Sequence, residues 1–175
     1  TKDLNADKLA AQSANELAEQ LNVTVRSRTR VASIDTSARV VNIEGGEALP
    51  YSELVLALGA ELIRPPISGD AADDVLGVND LDDYRRFQDL LAAKGASKIA
   101  IIGAGLIGCE FTNDLVNGGF TVEAVDPMGW CLPTLLPERS GRAVQAALEA
   151  KGATFHFGPL ATEVNRVGEG YVVIL

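Results

Sequence analysis

The segment Ile99-Ala-Ile-Ile102 is followed directly by Gly103-Ala-Gly-Leu-Ile-Gly108. The four apolar residues predict a short buried strand, and the three glycines form the pattern G-x-G-x-x-G. A helix to about Val116 is predicted next, and then a second strand, Thr121–Val125, that ends at Asp126. This order of strand, glycine-rich turn, helix and acid-terminated strand predicts a Rossmann-type unit that binds a dinucleotide.

Each glycine has its own task in such a unit. Gly103 permits the tight turn, Gly105 lets a diphosphate approach the backbone, and Gly108 lets the helix pack closely on the strand. The amide groups of Leu106 and Ile107, with the positive end of the helix dipole, are expected to face the diphosphate. The alternative is a glycine-rich turn of an α/β domain that binds nothing.

Asp126 predicts which dinucleotide is bound. It follows Gly103 at close to the usual spacing of about 20 residues. Its carboxylate is expected to accept hydrogen bonds from the adenosine ribose hydroxyls, and its charge would repel a 2′-phosphate. Residues 127–137 contain no arginine that could neutralise such a phosphate. The sequence therefore predicts NADH rather than NADPH.

Composition excludes several other classes of protein. The 175 residues carry a net charge of −9, which disfavours nucleic acid and anionic lipid as partners. No apolar run is long enough to cross a bilayer, so no membrane insertion is expected. Cys109 and Cys131 form no metal-binding pair, so no metal site is expected, and a cytoplasmic location is predicted. The sequence begins without Met and ends inside a strand-like segment, which indicates part of a longer protein.

The residues before the glycine-rich turn predict a mixed α/β region. A continuous apolar run, Leu54–Leu58, is typical of a strand that is buried on both faces, and it ends at Gly59. Residues 64–79 break regular structure and form the best candidate for a domain boundary. The other predictions here are a helix Ala6–Leu21, an antiparallel meander of strands Val23–Arg26, Val31–Ile34 and Val40–Ile43, a turn at Gly45-Gly46 and a helix Asp80–Ala93.

After Asp126 the pattern continues with one helix and three strands. Pro137 suits the first turn of a helix, because its missing N–H has no partner there in any case. The predicted elements are a helix Pro137–Ala150 and strands Thr154–Phe157, Thr162–Arg166 and Tyr171–Leu175.

Two motifs carry a resemblance to a known family. Ile99–Glu110 resembles the NAD-binding domain of the FAD-dependent pyridine nucleotide–disulfide oxidoreductase superfamily, and Tyr51–Ala60 resembles its second FAD motif, with Leu58 where Thr is usual. Residues 78–87, 103–114 and 143–159 are most similar to the rubredoxin-reducing members of that superfamily.

The resemblance implies that residues 1–75 are part of an FAD-binding domain with an antiparallel β-meander, and that residues 76–175 are an incomplete NAD-binding domain. The superfamily's first glycine motif, its Lys-Pro motif and its third FAD motif are missing from the sequence. The chain is therefore expected to be a middle portion, without activity by itself.

The resemblance also implies roles for individual residues. Glu110 would be the catalytic carboxylate, which positions the nicotinamide and touches the flavin; the alternative is a solvent-facing helix residue. Leu106 occupies a position that is aromatic in some relatives, and we expect packing and a backbone contact from it. Val31, Ala57 and Gly59 would bring backbone close to FAD. The alternatives are an ordinary core residue of a strand at Val31 and a buried strand end at Ala57 and Gly59.

The function implied is that of a flavoprotein reductase. It would pass electrons from NADH through FAD to rubredoxin or a similar small iron protein. NADH oxidases and disulfide reductases of the same superfamily are the alternative enzymes. A non-catalytic NADH-binding module and an inert structural piece of an α/β protein are the alternatives from other classes.

Overall fold

The computed structural model describes residues 6–175. These residues pack into two compact units. The smaller unit is Ala10–Glu61, and the larger unit combines Leu62–Leu175 with residues 6–9. The smaller unit contains one antiparallel sheet, whereas the larger unit contains a parallel sheet and a separate antiparallel hairpin.

The predicted helix Ala6–Leu21 is two helices, α1 (Ala6–Leu9) and α2 (Ala14–Leu21). Ser13 begins the second helix, because its hydroxyl accepts a hydrogen bond from the Glu16 amide while the Glu16 carboxylate accepts one from the Ser13 amide, at 3.3 and 2.7 Å. This reciprocal capping box starts a new helix at Ala14. The prediction of one continuous helix was therefore wrong between residues 10 and 13.

The smaller unit confirms most of the predicted meander. Strands β1 (Val31–Asp35), β2 (Val40–Ile43) and β3 (Ala48–Pro50) pair antiparallel in chain order. The turn at Gly45-Gly46 joins β2 to β3, and both glycines have positive φ. The strand β3 was not predicted, since three residues are too short to show a period.

Two strands predicted in this unit are absent from it. Val23–Arg26 has no regular structure, and Leu54–Leu58 has none either. Val55 and Leu58 are each 86% exposed. A strand needs neighbours to take its backbone hydrogen bonds, and the described part of the chain places no strand beside either segment.

The larger unit matches the predicted elements to within a few residues at each end. Its parallel sheet has three strands in chain order, and a helix connects each strand to the next. The elements are a 3₁₀ helix (Ala72–Asp74), α3 (Leu81–Lys94), β4 (Lys98–Ile102), α4 (Leu106–Asn117), β5 (Thr121–Asp126), α5 (Glu138–Glu149), β6 (Ala153–Phe157), β7 (Glu163–Val167) and β8 (Gly170–Ile174).

The core of the larger unit lies against one face of the parallel sheet. In the central strand β5, Val122 and Ala124 are buried. Apolar side chains from the sheet, from both crossover helices and from the loop before α5 pack together there, and the cluster comprises Ala104, Cys109, Cys131, Leu148 and Ala153. This arrangement of parallel strands and crossover helices confirms the predicted α/β fold class with a Rossmann-type sheet.

The antiparallel hairpin β7–β8 holds the segment that precedes the 3₁₀ helix. Ser68 forms a parallel bridge with Glu163, and the amide of Ala71 donates to the carbonyl of Val164 at 3.0 Å. The side chains add an ion pair, since the Arg166 guanidinium donates to Asp74 at 2.7 Å. Residues 68–74 are therefore fixed to β7 by both backbone and side chain.

Candidate dinucleotide-binding site

The glycine-rich turn lies at the carboxyl end of β4 and leads directly into α4. Gly103 has a φ of 111°, and its amide donates to the carbonyl of Val125 at 2.8 Å. A Cβ on Gly108 would overlap the carbonyl oxygen of Gly103, so only glycine allows this approach of helix and turn. Around Gly105, by contrast, the position of a Cβ is open, which leaves room for a ligand beside the backbone.

The first turn of α4 offers unpaired donors to that open space. Gly105 is the N-cap residue, it supplies no side-chain cap, and the first turn contains no acidic residue. The earliest amide to find an intrahelical partner is that of Cys109, which donates to Gly105 at 2.9 Å. The amides of Leu106 and Ile107 precede it, and both side chains are exposed. Such donors, at the positive end of the helix dipole, suit an anion such as a diphosphate.

Asp126 ends β5 beside the glycine-rich turn. One carboxylate oxygen accepts a hydrogen bond from the amide of Ala104 at 2.6 Å, and the other accepts one from the amide of Met128 at 2.8 Å. The residue is only 8% exposed. Sequence spacing predicted the position of Asp126 but missed both backbone partners, since nothing in the pattern points to either amide.

The loop that follows β5 is tied to the same turn. The amide of Leu132 donates to the carbonyl of Ala104 at 2.8 Å. The indole of Trp130 donates to Leu136 at 3.2 Å and lies so close to Gly141 of α5 that a Cβ there would overlap it. The glycine-rich turn, this loop and the start of α5 therefore form one packed edge.

The two cysteines lie beneath this edge, and both are buried. The Cys109 thiol contacts the carbonyl of Ala104 at 3.3 Å. Burial raises the pKa of Cys109, and burial together with the neighbouring Cys109 thiol raises the pKa of Cys131 to about 12. Both thiols are protonated at neutral pH, so they pack as small apolar groups rather than act as nucleophiles.

A cluster of charged side chains crosses the parallel sheet away from the glycine-rich turn. The Glu123 carboxylate lies 2.5 Å from the Lys98 ammonium and 3.0 Å from Nε2 of His156. The hydrogen bond from Lys98, and then that from His156, hold the pKa of Glu123 below its ordinary value. Within residues 6–175, no group of three or more His, Cys, Asp or Glu side chains is arranged to hold a metal ion.

The structure brings seven of the predicted site residues to one part of the larger unit, on the turn, on α4 and at the end of β5. Glu110 is exposed one turn into α4. The seven residues are Gly103, Gly105, Leu106, Ile107, Gly108, Glu110 and Asp126.

The other three predicted site residues belong to the smaller unit. Val31 is the first residue of β1 and is 48% exposed. Ala57 and Gly59 lie in the exposed irregular segment after β3, and Gly59 has a φ of 71°. Gly59 therefore occupies a backbone conformation that other residues rarely adopt.

The fold and this edge define an α/β protein with a Rossmann-type sheet and a candidate dinucleotide site. The sequence profile of the family described as pyridine nucleotide-disulphide oxidoreductase matches residues 1–175. The chain belongs to that family, as the resemblance in the sequence predicted, and the family consists of oxidoreductases that use FAD and NADH.

Individual relatives agree with this assignment. The chain is 49% identical over 173 residues to a rubredoxin-NAD(+) reductase of Alcanivorax borkumensis, which covers 99% of this chain and 44% of the relative. A ferredoxin reductase of Rhodopseudomonas palustris has the same fold with a TM-score of 0.85 at 23% identity, over 98% of this chain and 42% of that one. A water-forming NADH oxidase of Lactobacillus brevis superposes with a TM-score of 0.80 at 22% identity, over 97% and 39%. The chain thus spans less than half the length of these proteins.

No helix within residues 6–175 combines the length and the apolar character needed to cross a membrane.

Proposed function

We propose that the protein carrying this chain is a flavoprotein reductase that takes a hydride from NADH and delivers electrons to a small iron protein. One observation carries the proposal. This chain belongs to the family, and it has open space beside the backbone of Gly105 and amides without intrahelical partners at the start of α4. Both lie beside Asp126 at the end of β5. When bound, FAD supplies the redox chemistry, accepting a hydride and releasing electrons singly. The protein binds, orients and shields the reactants.

Different residues of the larger unit bind different parts of NADH. The amides of Leu106 and Ile107 hold the diphosphate, which reaches them across the open face of Gly105. Asp126 accepts hydrogen bonds from the adenosine ribose through oxygen lone pairs that its backbone partners leave available. Glu110, one turn along α4, positions the nicotinamide against the flavin.

The preference for NADH over NADPH rests on the charge of Asp126. An engineered NADPH-using form of the Lactobacillus brevis oxidase carries replacements at a glycine, at an aspartate and at the two residues after that aspartate. This chain has Gly108 and Asp126 at the same spacing, with Pro127 and Met128 following. Gly108, Asp126 and Met128 match the replaced residues in type and spacing, whereas Pro127 stands where the oxidase has alanine. This match supports Asp126 as the residue that rejects a 2′-phosphate.

The FAD side of the proposal concerns residues 1–75, which contain the whole of the smaller unit. Residues 1–75 are assigned to an FAD-binding domain and residues 76–175 to an NAD-binding domain. Val31, Ala57 and Gly59 are the residues whose backbone approaches FAD. The positive φ of Gly59 and its exposure suit a close approach of this kind.

Rubredoxin is the proposed acceptor, in a cytoplasmic reductase. The similarity to the rubredoxin-NAD(+) reductase of Alcanivorax borkumensis supports rubredoxin, whereas the ferredoxin reductase shares only the fold. An oxidase or a disulfide reductase is the second candidate, because a water-forming oxidase shares the same fold. Measuring the NADH-dependent reduction of rubredoxin, oxygen and a disulfide by the full-length protein separates these candidates.

The decisive experiment is anaerobic stopped-flow reduction of the flavin by NADH in the full-length protein. Glu110→Ala is expected to slow this step by about tenfold to a hundredfold, since misplacement of the nicotinamide by 1 Å has effects of that order. Asp114→Ala is the matched control, an exposed carboxylate on the same helix, and it should react like the unmodified protein. An unchanged rate in Glu110→Ala rules out the role of that residue.

Binding titrations with NADH and NADPH test the nucleotide site itself. We expect NADH to bind at least about tenfold more tightly, because a 2′-phosphate would meet the Asp126 carboxylate. Equal affinities would contradict the role of Asp126. A full-length protein that binds NADH but shows no flavin absorbance would instead be an NADH-binding module.

A further inference from the structure

The Asp126 carboxylate is held by backbone on both of its oxygens. The Ala104 amide donates to one oxygen at 2.6 Å, and the Met128 amide donates to the other at 2.8 Å. Ala104 is fully buried and Asp126 is 8% exposed. Hydrogen bonds from amides to a carboxylate are charge-assisted, and they are stronger where water is excluded.

Ala104 is the residue between the first two glycines of the turn, and both of its backbone groups are bonded outside the turn. Its amide donates to Asp126, and its carbonyl accepts from the amide of Leu132 at 2.8 Å. The preceding amide, that of Gly103, donates to the carbonyl of Val125. Consecutive amides of the turn are therefore joined to the end of β5.

This bonding has a consequence for ligand binding. A turn with two glycines in three residues has a large conformational entropy when it is unbound, and ordering it weakens the binding of any ligand that requires one geometry. Hydrogen bonds that fix the turn in advance remove that loss. Each oxygen of Asp126 has a further lone pair, so the same carboxylate can bond a ribose hydroxyl as well.

We propose that Asp126 is a positioning residue, whose carboxylate holds the glycine-rich turn and the start of the loop after β5 in the geometry that receives the diphosphate. This inference rests on the nucleotide site proposed above. It adds to the ribose contact a role that is exerted through Ala104 and that is present before any nucleotide binds.

Two nucleotides separate the two roles in the full-length protein. ADP carries both ribose hydroxyls, whereas 2′,3′-dideoxy-ADP keeps the adenine and the diphosphate and has neither hydroxyl.

In Asp126→Asn, the carboxamide offers one acceptor oxygen, and its NH2 group meets the second backbone donor, so one of the two bonds is lost. We expect Asp126→Asn to weaken the binding of dideoxy-ADP by about tenfold, as loss of a charge-assisted hydrogen bond does. The control is Asp89→Asn, which removes the same charge from an exposed position on α3.

A ribose contact alone predicts a different result, in which Asp126→Asn weakens ADP and leaves dideoxy-ADP unchanged. That outcome overturns the positioning role and keeps the proposed nucleotide site. If the unmodified protein binds neither ADP nor NADH, the proposed function fails. The positioning role is then still tested by hydrogen exchange.

Amide hydrogen exchange of the unmodified protein without nucleotide does not depend on any variant folding. The amides of Ala104 and Met128 should exchange at least about tenfold more slowly than those of Leu106 and Ile107. In Asp126→Asn this protection should fall, while the amides at the centre of β5 keep theirs. Equal, fast exchange at all four positions in the unmodified protein would overturn the inference.

Discussion

An uninterrupted apolar run forms a strand in the larger unit and has no regular structure in the smaller unit. In the larger unit, Ile99–Ile102 forms most of β4 and pairs in parallel register with β5. In the smaller unit, Leu54–Leu58 has no regular structure, and Leu58 is 86% exposed. Both runs predict a buried strand from sequence. The difference shows that such a run predicts a need for burial and does not identify the groups that provide it.

The larger unit provides strand partners and part of the burial from its own sequence, although the residues of β4 are half-buried or exposed and not fully buried as predicted. The strand β5 lies between β4 and β6, and helices α4 and α5 supply the buried cluster on one face. In the smaller unit, none of the residues of β1, β2 and β3 is buried. Its meander is therefore held by backbone hydrogen bonds and turn geometry, which make a smaller net contribution than a packed core.

The largest effect that tests this contrast is expected at Gly69. Its φ is 102°, and a Cβ would overlap the carbonyl oxygen of Val164, so Gly69→Ala adds a steric clash to backbone strain. We expect a loss of about 3 kcal/mol in the free energy of unfolding. Gly46→Ala in the smaller unit is the matched control, since its φ is 96° and a Cβ there meets nothing within 4 Å. Strain alone should lower stability by about 1 kcal/mol.

Urea denaturation followed by far-ultraviolet circular dichroism measures both variants. Trp130 fluorescence separates the units, because it is the only tryptophan in the sequence and lies in the larger unit. Equal losses for the two variants would mean that the segment 68–71 is not docked on β7.

A smaller effect is expected from truncating one valine in each unit. Val122 is fully buried in β5, and Val122→Ala should lower the free energy of unfolding by about 2 kcal/mol through lost burial and a cavity. Val55 is 86% exposed, and Val55→Ala should change the free energy of unfolding of this chain by less than about 0.5 kcal/mol. A comparable loss for Val55→Ala in urea denaturation would show that the run in the smaller unit is covered, and the contrast between the units would disappear.

Sequence predicted those parts of the fold whose signals are local. The helix that is predicted to run to about Val116 is α4. The predicted helix Asp80–Ala93 agrees with α3 to within one residue at each end, and Asp80 is its N-cap, since the Asp80 carboxylate accepts from the Asp83 amide at 2.8 Å. The break at Ser13 was missed because alanine, leucine and glutamate favour helix on both sides of it. The strand β3 was missed because its pairing with β2 determines it, whereas its own sequence does not.

The site divides in the same way. The positions of Gly103, Gly108 and Asp126 follow from motif spacing, since each glycine answers a steric demand of the strand–turn–helix connection. The hydrogen bonds of Asp126 to Ala104 and Met128 could not be predicted, because they depend on the rotation of one side chain at the end of β5. Motif spacing predicts that the Asp126 carboxylate lies near the ligand. The backbone amides that it also binds can be identified only from the folded structure.

The smallest effect concerns the charged cluster on the parallel sheet. The pKa of Glu123 is lowered by Lys98 and then by His156, so the folded state binds the proton less tightly than the unfolded chain does. The stabilisation is therefore present above the ordinary pKa of 4.5 and is lost as pH falls through the lowered value. The Glu123 side chain is 35% exposed, so solvent screening should keep the effect below about 0.5 kcal/mol.

Trp130 fluorescence during urea denaturation at pH 7 and below pH 4.5 should show a smaller change in the free energy of unfolding with pH for Glu123→Gln than for the unmodified chain. Glu47→Gln removes an exposed ion-pair partner of Arg26 in the smaller unit and should leave that profile unchanged. An identical change in both variants would mean that the fluorescence reports the whole chain, and that the two units unfold together.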